Sequence, residues 1–304
     1  MSLEIFSVGA CLLSAPVTEL ISSNRATNSW NRYSKHITPA VYTLDEALQL
    51  VRFMRGDFDI PPLFRELCRL DRSEEGPPLK GALDTADVVL VEINSPVAIR
   101  YSRYALCRSQ LISLVLNYVK TSDELARAGN AWYHQGIMAD NAEVREETAQ
   151  KLVRAVPDTM PDPDLARAVL IDSRPSRRDV AELAEGLAEL RDAFRAPLGV
   201  VTYTHQYMPD GRPLPWPADF IEQTMAAAQQ LALPVFHPSN YVRSYGATRA
   251  LMPDRVHYQP EFSAALAEPL WEFAAGVAGV SSSTPAVTPA QAPAGQATAE
   301  YRVA

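Results

Sequence analysis

The chain has 304 residues, 47% of them hydrophobic, so it can bury a full core as one large domain or as a domain carrying an insertion. A formal net charge of -8 with no Lys/Arg-rich run argues against a nucleic-acid partner, which would require a basic patch. No basic n-region with an apolar h-region opens the sequence, and no apolar run approaches the roughly 18 residues of a membrane span, so a soluble cytoplasmic protein is expected.

Cys11, Cys68 and Cys107 are too scattered for a zinc knuckle or a disulfide framework, and reduced thiols are expected. His36, His134, His205, His237 and His257 show no ligand spacing, so neither a metal nor a cofactor is expected.

In chain order, Leu3-Glu4-Ile5-Phe6-Ser7-Val8 reads as a buried strand that runs into Gly9-Ala10-Cys11. The first helix is expected to open near Ser14 and Pro16, to continue through Val17, Leu20 and Ile21, and to stop between Ser22 and Asn24. The polar stretch from Asn24 to Thr38 has room for a short second strand. Thr43 with Glu46 forms an N-cap signature for a helix with Leu44, Ala47, Leu48, Val51 and Met54 on one face, ended by Gly56.

Residues 86–93 (Ala-Asp-Val-Val-Leu-Val-Glu-Ile) form the strongest strand signal, suited to the middle of a parallel sheet and terminated by Asn94-Ser95-Pro96. A helix packing Tyr104, Leu111, Ile112, Val115, Tyr118 and Val119 on the sheet should follow. About 123 to 195 reads as a mainly helical insertion, broken by Pro157, Pro161 and Pro163, with Ser176 and Asp179 capping a helix through Val180, Leu183, Leu187, Leu190 and Phe194. As a lid or as a homodimer contact, this insertion has two uses between which the sequence does not choose.

Leu198 to Tyr203 returns to strand, a helix spans roughly Ala218 to Leu231, Pro234 to His237 is a last short strand, and a helix from about Glu261 to Ala275 bends at Pro269. The alternation predicts a three-layer α/β/α sandwich around a mostly parallel sheet of about five strands. It spans residues 1–280 as a single domain, and the Ser/Thr/Pro/Ala-rich 281–304 is expected to be a disordered tail.

Ligands of open α/β sheets bind beyond the carboxyl ends of the strands, where Cys11, Asn94 and the His257 loop can meet. The chain resembles the SGNH/GDSL hydrolase superfamily there, and within it the branch named for a Gly-Ser-Cys-Phe-Ala motif (GSCFA). The resemblance rests on Gly9-Ala10-Cys11-Leu12-Leu13 after the first strand, Asn94 after the third, and Asp254-Arg255-Val256-His257 before the last helix, in family order across roughly residues 3 to 275. Ala10 stands where the family has Asp or Ser, Leu12-Leu13 replaces Phe-Ala, and Glu92 stands where the Asn block has Gly.

The resemblance implies a SGNH/flavodoxin-like fold and a Cys-His-Asp triad: Cys11 attacks an acyl carbonyl, His257 serves as base and then acid, and Asp254 orients His257. The Cys11 backbone N–H and the Asn94 amide are the implied oxyanion donors, with Gly56 the nearest candidate for a third. The helix macrodipole and a nearby imidazole are expected to lower the Cys11 pKa. A small polar or carbohydrate-type acyl ester or thioester is the implied substrate.

His205 and His237 are candidate substrate-binding residues or hydrogen-bonded structural histidines. Arg100 and Arg103 either hold an anionic substrate or are solvated charges at a helix start. Trp30, Trp132 and Trp216 are placed in loops, stacking a sugar or pinning the chain. The alternative to catalysis is an inactive ligand-binding or scaffold protein on the same fold, with Cys11 kept for packing. A nucleotide-dependent Rossmann enzyme is disfavoured because no G-x-G-x-x-G follows any strand.

Overall fold

The computed structural model describes residues 2–29, 40–70, 80–207 and 215–280. Trp30, His36 and the tail from Ser281 lie outside them, as does the side chain of Trp216. In order come β1 (Leu3–Val8), α1 (Cys11–Ser22), β2 (Ala26–Asn28), α2 (Leu44–Arg55), the short α3 (Pro62–Arg65) and α4 (Lys80–Thr85), and β3 (Val88–Ile93). A hairpin of β4 (Val97–Tyr101) and β5 (Tyr104–Leu106) precedes a helical block, α5 (108–119), α6 (123–138), α7 (Ala142–Arg154) and α8 (Pro163–Asp172). The chain returns through β6 (Arg174–Arg177), α9 (Val180–Ala193) and β7 (Leu198–Thr202), then α10 (Pro215–Gln230), β8 (Val235–Phe236), α11 (Pro238–Tyr245), α12 (Ala247–Ala250) and α13 (Pro260–Val277).

Five strands pair in the order β2-β1-β3-β7-β8, every pair parallel. β3, whose run of β-branched residues suits a strand buried on both faces, is the central one. Its side chains alternate: Val89, Val91 and Ile93 enter one apolar core, Val88 and Leu90 the other. α1 packs with α13 on the second face, while α9 packs against α2 and α10 on the first, which completes a three-layer α/β/α sandwich.

Several boundaries differ from the sequence reading. α1 starts at Cys11 rather than near Ser14, and Pro16 lies inside it. Residues 97–106 are not the start of a helix but a hairpin, which with β6 makes a separate antiparallel sheet in the order β5-β4-β6. Its two-residue turn puts Ser102 at φ 53, a conformation usually announced by Gly or Asn, so the turn left no signal.

Tyr104 therefore sits on β5, and Tyr118 is exposed because Ile112–Leu116 forms a π turn that shifts the helical spacing. Ser176 lies on β6, leaving Asp179 with Glu182 as the capping box of α9. α9 itself belongs to the helical layer of the sandwich rather than to the peripheral block. Helices α11 and α12 have no counterpart in the sequence reading, since each is short and buries few apolar residues.

The cap of α2 is as expected. Thr43 Oγ1 accepts from the Glu46 N–H at 3.2 Å, while the Glu46 carboxylate accepts from the Thr43 hydroxyl at 3.0 Å and the Tyr42 N–H at 3.2 Å. Burial nevertheless pushes the Glu46 carboxyl up to about 8. A group that holds its proton more tightly folded than unfolded gives stability that is complete below its unfolded pKa and lost as pH rises through its folded one. Glu46→Gln should therefore match the wild type near pH 4 and exceed its stability above pH 8 by on the order of 5 kcal/mol, measured by urea denaturation across pH. Parallel stability curves for the two proteins would contradict this account of the cap.

Candidate functional site

Because all five strands are parallel, their carboxyl ends share one edge, the edge at which open α/β sheets hold ligands. Cys11 follows β1, Asn94 follows β3, Thr204 and His205 follow β7, and His237 follows β8. The 251–259 loop reaches the same edge between α12 and α13. It is tied to the end of β7 by a buried hydrogen bond of 2.5 Å between Tyr258 Oη and Thr204 Oγ1.

Within that loop, Leu251 bridges Tyr258, the Met252 N–H donates to the His257 carbonyl (2.8 Å), and Arg255 takes φ 59 to make the turn. This geometry brings Asp254 back onto His257. Asp254 Oδ2 lies 2.5 Å from His257 Nδ1, and Oδ1 accepts the backbone N–H groups of Val256 (2.9 Å) and His257 (3.0 Å). The bond from His257 and those two amides hold the Asp254 carboxyl down at about 2. With Asp254 ionised, Nδ1 carries the proton and Nε2 is the nitrogen left free to act as a base. Both side chains are about half exposed, at 50% and 48%, which leaves the pair open to a ligand.

Cys11 is the first residue of α1, and its side chain is exposed. The N-cap, Ala10, has no side-chain oxygen to receive the helix's opening amides, and Glu92 performs that role from β3. Glu92 Oε2 accepts from the Ala10 N–H at 3.0 Å and the Leu13 N–H at 3.1 Å, and the Cys11 and Leu12 amides act to lower the pKa of the Cys11 thiol.

Gly9 makes this possible. A Cβ there would lie 2.7 Å from Glu92 Cβ, so only glycine lets the carboxylate under the loop. Glu92 is 1% exposed, its Oε1 has no partner among the described residues, and burial pushes its carboxyl up to about 7.

The expected lowering of the Cys11 pKa is corrected by these neighbours. Partial burial raises it first, the Glu92 charge second, and the Asp254 charge adds to both, outweighing the two amides. The charges of Cys11 and Glu92 in turn raise Tyr203 and Tyr258, after burial. Cys11, Glu92, Asp254, Tyr203 and Tyr258 thus form one electrostatic neighbourhood. No hydrogen bond joins the Cys11 sulfur to His257.

Asn94 donates its backbone N–H to the Tyr42 carbonyl at 3.0 Å, and its half-buried side-chain amide has no partner among the described residues. Gly56 is not an oxyanion donor. It caps α2 in the left-handed conformation with its N–H given to the Phe53 carbonyl (3.0 Å), and the helix that starts beside Asn94 carries it about 18 Å away.

Arg100 is on β4, not at a helix start, and its guanidinium is committed to Asp45 at 2.7 Å; Arg103 lies in the hairpin turn. His237 Nδ1 pairs with Thr202 Oγ1 at 2.6 Å, and burial holds its pKa down at about 4, while the His205 ring stands 5.7 Å from it. Both sit at β7 and β8, with β8 three strand spacings, about 14 Å, from β1. Trp132 is a fully buried core residue of α6, donating to the Leu170 carbonyl, rather than a loop platform.

Sequence reasoning missed the roles of Glu92 and Tyr258. Glu92 carried a visible signal, a charge in the middle of a β-branched run. Tyr258 carried none beyond adjacency to His257. Among the described residues no helix is long and apolar enough to cross a membrane, and no cluster of three His, Cys, Asp or Glu could hold a metal ion.

The model of one protein family, described as the TviD N-terminal domain, matches residues 3–273. No curated protein matches the chain.

Iodoacetamide labelling across pH reads the Cys11 environment directly. Cys11 should alkylate with a midpoint above the ordinary thiol value of about 8.5, while Cys68, pushed by burial up to about 12, stays unlabelled. A Cys11 midpoint near 7 by peptide mapping would show that the charge balance described here is wrong.

Proposed function

The chain belongs to the TviD N-terminal domain family, matched over residues 3–273, and from the geometry of its site together with its SGNH resemblance we propose that it is an SGNH-like acyl-transfer enzyme, an esterase or acyltransferase. Cys11 is the nucleophile, His257 the general base and acid, and Asp254 the orienting carboxylate. One observation carries the reading: the Asp254–His257 pair is already assembled, with its tautomer set, on a loop at the carboxyl edge of the sheet where Cys11 opens α1.

In this mechanism His257 Nε2 takes the Cys11 proton as the sulfur attacks the acyl carbonyl, and the carbonyl electron pair moves to oxygen. Asn94, with its amide uncommitted among the described residues, donates to that oxyanion, and the Cys11 N–H at the start of α1 donates to it as the tetrahedral centre forms. His257 returns the proton to the leaving group, and a thioester on Cys11 remains for water or an acceptor. Absence of a sulfur–imidazole bond is compatible with this, because catalytic hydrogen bonds often tighten only when substrate binds.

A small polar or carbohydrate-type substrate follows from the SGNH resemblance. The three free thiols suit a reducing, cytoplasmic setting. The peripheral helical block offers a surface for a second copy.

A raised Cys11 pKa favours a second reading, a ligand-binding protein on the same fold that performs no chemistry. Intact mass spectrometry with a panel of acyl thioesters and activated esters separates the two. The wild type should gain an acyl mass that Cys11→Ala does not. His257→Ala should slow acylation about 10²–10⁴-fold and Asn94→Ala about 10²–10³-fold. An adduct that persists in Cys11→Ala, or none in the wild type across the panel, removes the enzyme reading.

A further inference from the structure

The N–H groups of Ala10, Cys11, Leu12 and Leu13 open α1, and the positive end of the helix dipole is concentrated on them. Two of them, Ala10 and Leu13, donate to Glu92 Oε2, which leaves the Cys11 and Leu12 amides beside the Cys11 thiol that opens the helix. A single helix terminus, equivalent to about half a unit charge, thus faces two groups that can each become anionic.

We propose that Glu92 is a positioning residue that caps α1 from the neighbouring strand and, by holding half of the helix's opening amides, keeps Cys11 in the thiol form until His257 takes its proton. The nucleophile then works as a serine would, deprotonated during attack, rather than as a preformed thiolate–imidazolium pair. Glu92 gains and loses no proton in the step.

The placement supports this over a packing role. The register pairs Val8 with Val91, which sets Gly9 beside Glu92, and the missing Cβ at Gly9 is the space the carboxylate fills. Ala10 and Glu92, two positions where the sequence departs from the SGNH pattern, are hydrogen-bonded to each other. The cap oxygen absent from residue 10 is supplied by residue 92. Glu92 Oε1, buried and unpaired among the described residues, leaves that carboxylate short of the donors that would neutralise its effect on the sulfur.

The other groups that face Cys11 do not substitute for Glu92. Asp254 from the 251–259 loop adds negative charge in the same sense but is engaged with His257. Tyr42, Tyr203 and Tyr258 all have raised pKa values and are neutral at physiological pH.

The test is the pH profile of Cys11 alkylation in Glu92→Gln, where one amide oxygen still caps the helix and the charge is gone. The midpoint should move to acid by about one pH unit, with labelling close to tenfold faster near pH 8.5, where the wild-type Glu92 is ionised, and only about twofold faster at pH 7, which a purely structural role would not produce. A folded variant whose profile overlays the wild type overturns the proposal.

Should Glu92→Gln fail to fold, unaltered protein labelled at Cys11 with iodoacetate, which leaves a carboxylate, is compared with protein labelled with iodoacetamide, which leaves a neutral amide. The infrared band of the protonated Glu92 carboxyl should persist to higher pH in the first, the band of Glu46 being common to both. Coincident titrations overturn the proposal equally.

The proposal rests on the acyl-transfer reading only for the part played by His257, and the two fail separately. A shifted profile without a Cys11-dependent acyl adduct removes the enzyme and keeps the coupling. An adduct with an unshifted profile does the reverse.

Discussion

A buried carboxylate and an exposed thiol sharing one helix N-terminus is the constraint on which the site is built. Four amides at the start of α1 need acceptors, and Ala10 supplies none. Glu92 reaches two of them only because β1 and β3 are adjacent and in a register that sets Gly9 beside it. The carboxylate that holds the Gly9-Ala10-Cys11 turn in place is the same one that raises the Cys11 pKa. Fold and chemistry are therefore joined at the level of backbone hydrogen bonds rather than of side-chain packing.

The opposite wall of the site is assembled on a different principle. Asp254 and His257 are three residues apart on a loop whose own hydrogen bonds create their pairing, so the dyad needs little help from the rest of the molecule. What the tertiary structure contributes is location. Tyr258, buried against Thr204 at the end of β7, moors the loop to the sheet edge. A self-contained dyad on a moored loop and a thiol fixed from below by a neighbouring strand face the same sheet edge, and in the proposed mechanism substrate would be held between them.

The arginines and histidines around this edge show how ordinary stabilising work absorbs residues that look functional. Arg100 and Arg178 both bind the buried Asp45, joining the hairpin and the start of α9 to α2. His237 closes the end of β7 through Thr202. Composition alone cannot separate such a residue from a ligand, because the partner that occupies it is far away in the sequence.

The strands β1 and β3, the cap at Thr43 and the D-x-x-H pair were legible from the chain by itself, because each is decided by residues within a few positions of one another: an apolar run, a capping signature, a short loop. The α/β/α layering followed from the alternation of those local periods. The hairpin at 97–106 and the π turn in α5 were not legible, since Ser102 took a conformation its residue type does not announce and the π turn broke the expected spacing. The ionisation of Cys11 could not be read locally at all. A helix N-terminus favours a thiolate in isolation, and only the folding of residue 92 beneath residue 11, with Asp254 brought in from the last loop, reverses that preference by placing negative charge where neighbouring sequence has none.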